Sequence, residues 1–265
     1  MTEPTSRAIV PARALIAMNL FVSDEETRFY LKGIHIEPHE EGAMMHATNG
    51  HVLMSMLVRG AVVEGPSQIW TIPAKKLLSP IIRAEEKSDS FRVWCDLKFT
   101  PGEVSSVTLE TRGCVRDDPD LDPRFGYPIQ ENFPASENAL AVVDGTFPEV
   151  ANLWRRNRVA HASTSWGQVQ SRYLGTLIDF TRAMHGGKLG EHNGHFRFWR
   201  TSDESGSPWL VTFADTPDAV CIVMPIRTGD AGSAPDPLMV GWLADLLGDN
   251  DPNEVEAALT AKKAA

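Results

Sequence analysis

Arg28-Phe-Tyr-Leu-Lys-Gly-Ile-His35 and, shortly after it, Ala47-Thr-Asn-Gly-His51 decide the reading of this chain, and Val223-Met-Pro-Ile-Arg227 answers them near its far end. Residues 28–36, 43–48 and 51–58 read as three strands, each rich in β-branched, aromatic and long apolar side chains. Asn49-Gly50 between the last two is a strong hairpin signal, because both residues tolerate the left-handed backbone that tight turns need. Ahead of them, residues 11–22 are apolar at helical spacing, with Pro11 suited to a first-turn position. A strand, a helix and an antiparallel meander thus form one unit.

The unit recurs. Residues 68–72 read as a strand and 73–86 as a helix with Leu77, Leu78, Ile81 and Ile82 on one face, shortened or kinked by Pro80. Strands at 91–99 and 103–112 follow, joined by the turn Thr100-Pro-Gly102. Residues 113–138 are acidic and loop-like and read as an insertion; 139–143 resumes as a strand. A third unit has a helix over 168–185, where Val169, Tyr173, Leu177, Phe180 and Met184 recur at helical spacing. Its strands fall at 194–200, 209–214 and 219–226. Residues 229–237 form a linker and 238–247 a short amphipathic helix. The expected class is α+β.

Composition narrows the function classes. The 265 residues are 42% hydrophobic and 23% charged, which suits a globular protein with a real core. A formal net charge of -10 argues against a generally basic nucleic-acid binder, though not against a local basic surface. Cys95, Cys114 and Cys221 form no CxxC pair, and no disulfide framework is indicated. No apolar run approaches the roughly 18 residues that span a bilayer, and the N-terminus lacks signal-peptide patterning; a cytoplasmic setting is expected. His35 with His39, and His192 with His195, lack further ligands at zinc spacing, so neither a metal nor a cofactor is expected. Gly186-Gly-Lys188 is not a phosphate loop, since Leu189 stands where Ser or Thr belongs. No catalytic motif is present, and the chain is expected not to be an enzyme.

Taken in order, the 28–35 segment, the 48–51 turn, the link Asp144-Gly-Thr-Phe-Pro148 and the closing 223–227 segment resemble the bacterial DNA polymerase III beta sliding clamp family. That family carries R-[FY]-Y-L-x-G, T-[DN]-G-H, D-G-x-F-P and V-M-P-[IM]-R in this sequence. The resemblance implies a clamp fold of about one and a half domains. Residues 8–150 would match the family's middle domain, 151–228 half of its last domain, and 229–265 would be a linker and helical tail.

The resemblance also implies a site. In the family these segments converge on a hydrophobic pocket for short linear peptides of polymerases, clamp loader and repair proteins. The matching positions are Leu31, Thr48, Gly50, His51, Leu53, Pro148, Leu153, Ile222, Met224, Pro225, Ile226 and Arg227. Val52 departs from the family's usual arginine. Apolar strand residues equally serve as plain core. Clamp helices face double-stranded DNA, which would place Arg13, Lys75, Lys76, Arg83, Arg172 and Arg182 at the phosphate backbone without sequence readout. Arg155, Arg156 and Arg158 form a further basic cluster.

The function expected is a replication or repair processivity factor, with a homo-oligomeric ring as one possible form. The alternatives are a ring-less relative acting as a regulator or decoy for clamp-binding proteins, and an enzyme of unrecognised type. The apolar stripe of Leu238, Met239, Trp242, Leu243, Leu246 and Leu247 would cover the pocket or pack on the domain body.

Overall fold

The first two units of the chain exchange their opening strands. In the computed structural model, β1 (Ser6–Pro11) leads into α1 (Ala12–Asn19) and the meander β2 (Ile34–His39), β3 (Gly42–Thr48) and β4 (Val52–Arg59). After the short β5 (Val62–Glu64), β6 (Gln68–Thr71) opens the second unit, whose long hairpin is β7 (Phe91–Thr100) and β8 (Ser106–Val115). β1 pairs antiparallel with β7 of the second unit, and β6 pairs antiparallel with β2 of the first. Each unit therefore completes the other's sheet, and neither can bury its apolar face alone. The structure describes residues 5–73, 78, 91–101, 106–115, 127–130, 140–156, 161–162, 169–185, 194–201 and 207–225.

β9 (Tyr127–Gln130) closes a five-stranded sheet of order β5-β1-β7-β8-β9. Part of the stretch read as a loop insertion, 113–138, is thus strand: β8 runs on to Val115 and β9 pairs with it across a register shift at Thr111/Arg112. Tyr127-Pro-Ile-Gln130 is too short to show periodicity and carries a proline that cannot donate to a ladder, so β9 depends on its neighbour and sits at the sheet edge.

β10 (Ala141–Val143) pairs with β6. Beyond the link come α2 (Val150–Arg156), β11 (His161–Ala162), α3 (Ser171–Met184) and the meander β12 (Phe196–Arg200), β13 (Trp209–Phe213) and β14 (Ala219–Val223). β14 joins β4 antiparallel, with Ile222 opposite Leu53 and Val223 opposite Val52. The result is one nine-stranded sheet, β10-β6-β2-β3-β4-β14-β13-β12-β11, that runs without a break from the first unit into the third. At one end of this seam Arg59 binds both Asp218 carboxylate oxygens at 3.0 Å, and at the other the Met224 N–H donates to the His51 carbonyl at 2.8 Å. The α+β class and the antiparallel meanders agree with the sequence reading.

The two faces of the large sheet have different tasks. Ile34, Ile36, Met45, Met54, Met56, Cys221 and Val223 belong to the main core, together with Leu15 and Met18 of α1 and Leu177 and Phe180 of α3. Alternation along each strand makes this possible, since residues two apart share a face. α1 bridges the sheets, touching β1 and β7 of one and β2 and β3 of the other. The Phe180 ring lies 5.8 Å from Phe21 and 4.8 Å from Phe213, which ties α3 to both. Leu78, from the region read as the second helix, is fully buried in this core; most of that helix, with Lys75, Lys76 and Arg83, lies outside the described residues.

A separate small core sits on the other face, made of Leu31, Leu53, Ile69, Phe147, Val150 and Ile222. The 28–36 segment reaches it by a route different from the strand expected there. Glu26–Leu31 forms a 3-10 turn, and β2 starts only at Ile34. Gly33 lies between the two, where a Cβ would stand 2.7 Å from Ile69 and 2.8 Å from the Trp70 carbonyl oxygen. The chain passes this close to β6 as it enters β2, and the Ser23 N–H closes the preceding turn on the Leu31 carbonyl at 2.8 Å.

Candidate functional site: an outer-face cleft on the sheet seam

The 48–51 turn is built by its own side chains. Thr48 Oγ1 donates to the Val52 carbonyl at 2.8 Å and accepts the Gly50 N–H at 3.0 Å. Asn49 Oδ1 accepts the N–H groups of His51 and Val52, each at 3.0 Å. Short polar side chains that satisfy their own backbone are the physical basis of such turns. Gly50 has φ +87, where a side chain is strained, and a Cβ there would meet Arg28 Nη1 at 2.5 Å. Arg28 therefore lies across the turn, and Glu25 pairs with it at 3.4 Å.

This turn forms one wall of a cleft of about 360 Å³. Leu53 and Ile222, cross-strand partners on the seam, provide the floor, and Leu31 packs beside them in the outer core. Pro148, Val150 and Leu153 form the opposite wall, and Met224 closes one end. Leu31, Leu53 and Ile222 are buried, while Met224 is 38% exposed. The cleft is a preformed apolar depression with a mixed rim of Arg28, His51 and Glu149.

Nine of the twelve positions expected at a pocket line this one cleft: Leu31, Thr48, Gly50, His51, Leu53, Pro148, Leu153, Ile222 and Met224. Pro225 is half-buried and outside the lining. Ile226 and Arg227 lie outside the described residues. Arg28, Tyr30, Glu149 and Val150 also line it and were missed by the sequence reading, as does Val52, the position that departs from the family pattern. Arg28 and Tyr30 were within sight, being part of the quoted segment. Glu149 and Val150 were not, because nothing local announces that the residues after Pro148 form α2 and close on the sheet.

The 147–154 segment is fastened to the sheet at both ends. Phe147 stacks on His35 with ring centres 4.9 Å apart and planes 10° apart, and Trp154 Nε1–H donates to Ser55 Oγ at 3.1 Å. Ser55 also bonds His46 Nδ1 at 2.7 Å, and His46 Nε2 lies 3.3 Å from Glu37 Oε1. Burial, then the neighbouring His46, lowers the His35 imidazole below its ordinary value. The bond from His46 lowers the Glu37 carboxyl. Gly145 lets the link pass under Tyr30 and Phe29, since a Cβ would stand 3.1 and 3.2 Å from those side chains.

The basic residues expected at DNA are dispersed. Arg172, on the first turn of α3, lies 4.8 Å over the Tyr173 ring and donates to its hydroxyl at 2.8 Å. Arg182 pairs with Asp179 at 3.2 Å. Between them the exposed face of α3 carries Leu174 and Ile178, each 36% exposed. Arg13 sits at a second cavity, of about 390 Å³, at the far end of the β4–β14 seam, with Arg59, Arg92, Asp215 and Asp218. Arg155 is exposed on α2 and bonds Asn152 at 2.8 Å; Arg158 lies outside the described residues. Among the described residues, no three His, Cys, Asp or Glu side chains are grouped to hold a metal, and no helix is long and apolar enough to cross a membrane.

No protein-family model and no curated protein matches this chain. Among solved structures it is similar to a sliding clamp, DNA polymerase III subunit beta, from Bartonella birtlesii bound to griselimycin. That match has 16% identity and a TM-score of 0.46, over 85% of this chain and 67% of that one. It is similar to the C. crescentus beta sliding clamp at 20% identity and a TM-score of 0.47, over 86% of this chain and 67% of the other. The subunit from Borrelia burgdorferi, in complex with a natural product, matches at 12% identity and 0.46, covering 84% and 64%. The chain is thus similar over most of its own length, and over about two thirds of theirs, to bacterial beta sliding clamps.

Proposed function

We propose that this chain is a non-catalytic, clamp-type tethering protein whose outer cleft captures short apolar peptides of DNA polymerases, clamp loaders or repair proteins. One observation carries the reading. Four segments far apart in sequence, at 28–31, 48–53, 148–153 and 222–224, meet in a single apolar cleft, and each of them contains at least one residue of a clamp-like motif, Pro148 and Met224 in the last two. Convergence of that kind has no necessity for a core, which could be filled by any apolar strand residue. Leucine, isoleucine and methionine walls adapt to varied peptide side chains. In this reading 8–150 act as one clamp-type domain and 151–228 as a half-domain, in the cytoplasm, with duplex DNA held by backbone contacts alone.

The test is a titration of a fluorescent peptide with the sequence character of a polymerase tail, rich in leucine and phenylalanine. Binding in the micromolar range supports the proposal, and no binding up to about 1 mM, weaker than about -4 kcal/mol, ends it.

A specific observation favours the ring-less alternative. β11 pairs with β12 of its own unit, whereas β1 and β6 each complete another unit's sheet. The outward face of α3 is also partly apolar, and its Arg172 and Arg182 are engaged with Tyr173 and Asp179. Retention on circular but not linear DNA distinguishes the two: a ring is retained, and a decoy is not.

A further inference from the structure

We infer that His35, His46 and Ser55 are positioning residues for the cleft, holding its 147–154 wall against the sheet through one row of side-chain contacts. The inference rests on the peptide reading of the cleft.

The three residues form one row across the sheet, since His35 lies opposite His46 and His46 opposite Ser55. The next row of the same face, Thr48, Leu53 and Ile222, contributes to the cleft. The wall is fastened only one row away from the peptide-binding floor. Its two fastenings bracket the lining residues: Phe147 lies just before Pro148, and Trp154 just after Leu153. Phe147 rests on the His35 ring and Trp154 hangs from Ser55 Oγ.

The hydrogen bonds have one self-consistent direction when His46 is neutral. Trp154 Nε1–H donates to Ser55 Oγ, and the Ser55 hydroxyl donates to His46 Nδ1. His46 Nε2–H then donates to Glu37. The Ser55 hydroxyl is buried and joins the wall to the sheet through these two bonds. The His35 ring, whose Nδ1 is buried without a hydrogen-bond partner, carries Phe147 at the other end of the wall.

The experiment uses the full chain and three readouts: peptide affinity, thermal stability, and the indole N–H resonance of Trp154, assigned with Trp154→Phe. Ser55→Ala is expected to remain folded, to weaken peptide binding about tenfold, and to move the Trp154 resonance to a solvent-like position. Trp154→Phe removes the same bond from the other side; it is expected to weaken binding by a similar factor, and the double variant no more than either single one. A Trp154 resonance unmoved by Ser55→Ala, or additive losses in the double variant, overturns the inference. Absence of peptide binding with the expected resonance shift overturns the peptide reading and leaves the fastening standing. If Ser55→Ala does not fold, Trp154→Phe decides alone, and peptide binding equal to wild type in it overturns the inference.

Discussion

Replacing Met224 with aspartate separates a binding cleft from an ordinary patch of core. Met224 closes the end of the cleft with its side chain 38% exposed, while its backbone N–H is held by the His51 carbonyl at 2.8 Å. The backbone bond survives any substitution except proline. In the free protein the carboxylate of Met224→Asp can stay in water, so folding stability should be almost unchanged. A bound peptide would cover what Met224 still exposes. With about 200 Å² for a whole methionine side chain, that is on the order of 75 Å², or about 2 kcal/mol at ~25 cal/mol per Å². Desolvating the carboxylate adds to the loss. Peptide affinity should thus fall by about 30-fold or more, with the melting temperature within about 2 °C of wild type. Anisotropy titration and calorimetry on the same samples check both parts. A wild type that binds and a Met224→Asp that binds equally well would refute the placement of the peptide at this end of the cleft. A large fall in melting temperature would show that Met224 supports the fold instead.

Three other outcomes are expected. Asp96 is fully buried between Arg7, both of whose contacts are 2.8 Å, and Arg112 at 2.9 Å; Asp96→Asn removes the charge they share while Arg7 keeps Glu64 at 3.3 Å and Arg112 keeps Glu110 at 3.0 Å, and should cost about 2 kcal/mol, seen as a drop on the order of 5 °C in melting temperature. Because folding lowers the His35 and Glu37 values, the unfolded chain takes up their protons first; the stability they contribute is complete at neutral pH, begins to fall below about pH 6.5 through His35, and falls further below about pH 4.5 through Glu37, so denaturant midpoints should drop with acid and drop less in His35→Phe. Any association with duplex DNA should be independent of sequence and should weaken steeply between low and physiological salt, since it would use phosphate contacts alone; salt-independent retention on linear DNA would contradict that picture.

Much of this architecture was legible in single strands and turns. β3, β4, β7, β13 and β14 follow runs whose alternation or β-branched content is local, and Asn49-Gly50 marks its turn by backbone preference alone. α1 and α3 announce themselves by apolar residues at helical spacing. These features depend on neighbours within a few positions, which is the range over which propensity and periodicity act.

What only the tertiary structure decided is which strand lies beside which, and therefore what faces the cleft. Nothing in β1 indicates that it leaves its own meander for β7, and nothing in β14 indicates that Ile222 will lie opposite Leu53. The close approach of Gly33 to Ile69 and Trp70, just after the 3-10 turn at Glu26–Leu31, is a contact more than thirty residues away. The α2 wall, the Arg28 side chain over Gly50 and the stack of Phe147 on His35 are likewise products of long-range contact. The sequence by itself determined β3, β4, β7, β13, β14, α1, α3 and the 48–51 turn, because those are settled locally by backbone dihedrals and side-chain periodicity. Sheet order, register and the cleft came from burying both faces of a nine-stranded sheet at once, a condition that no short segment contains.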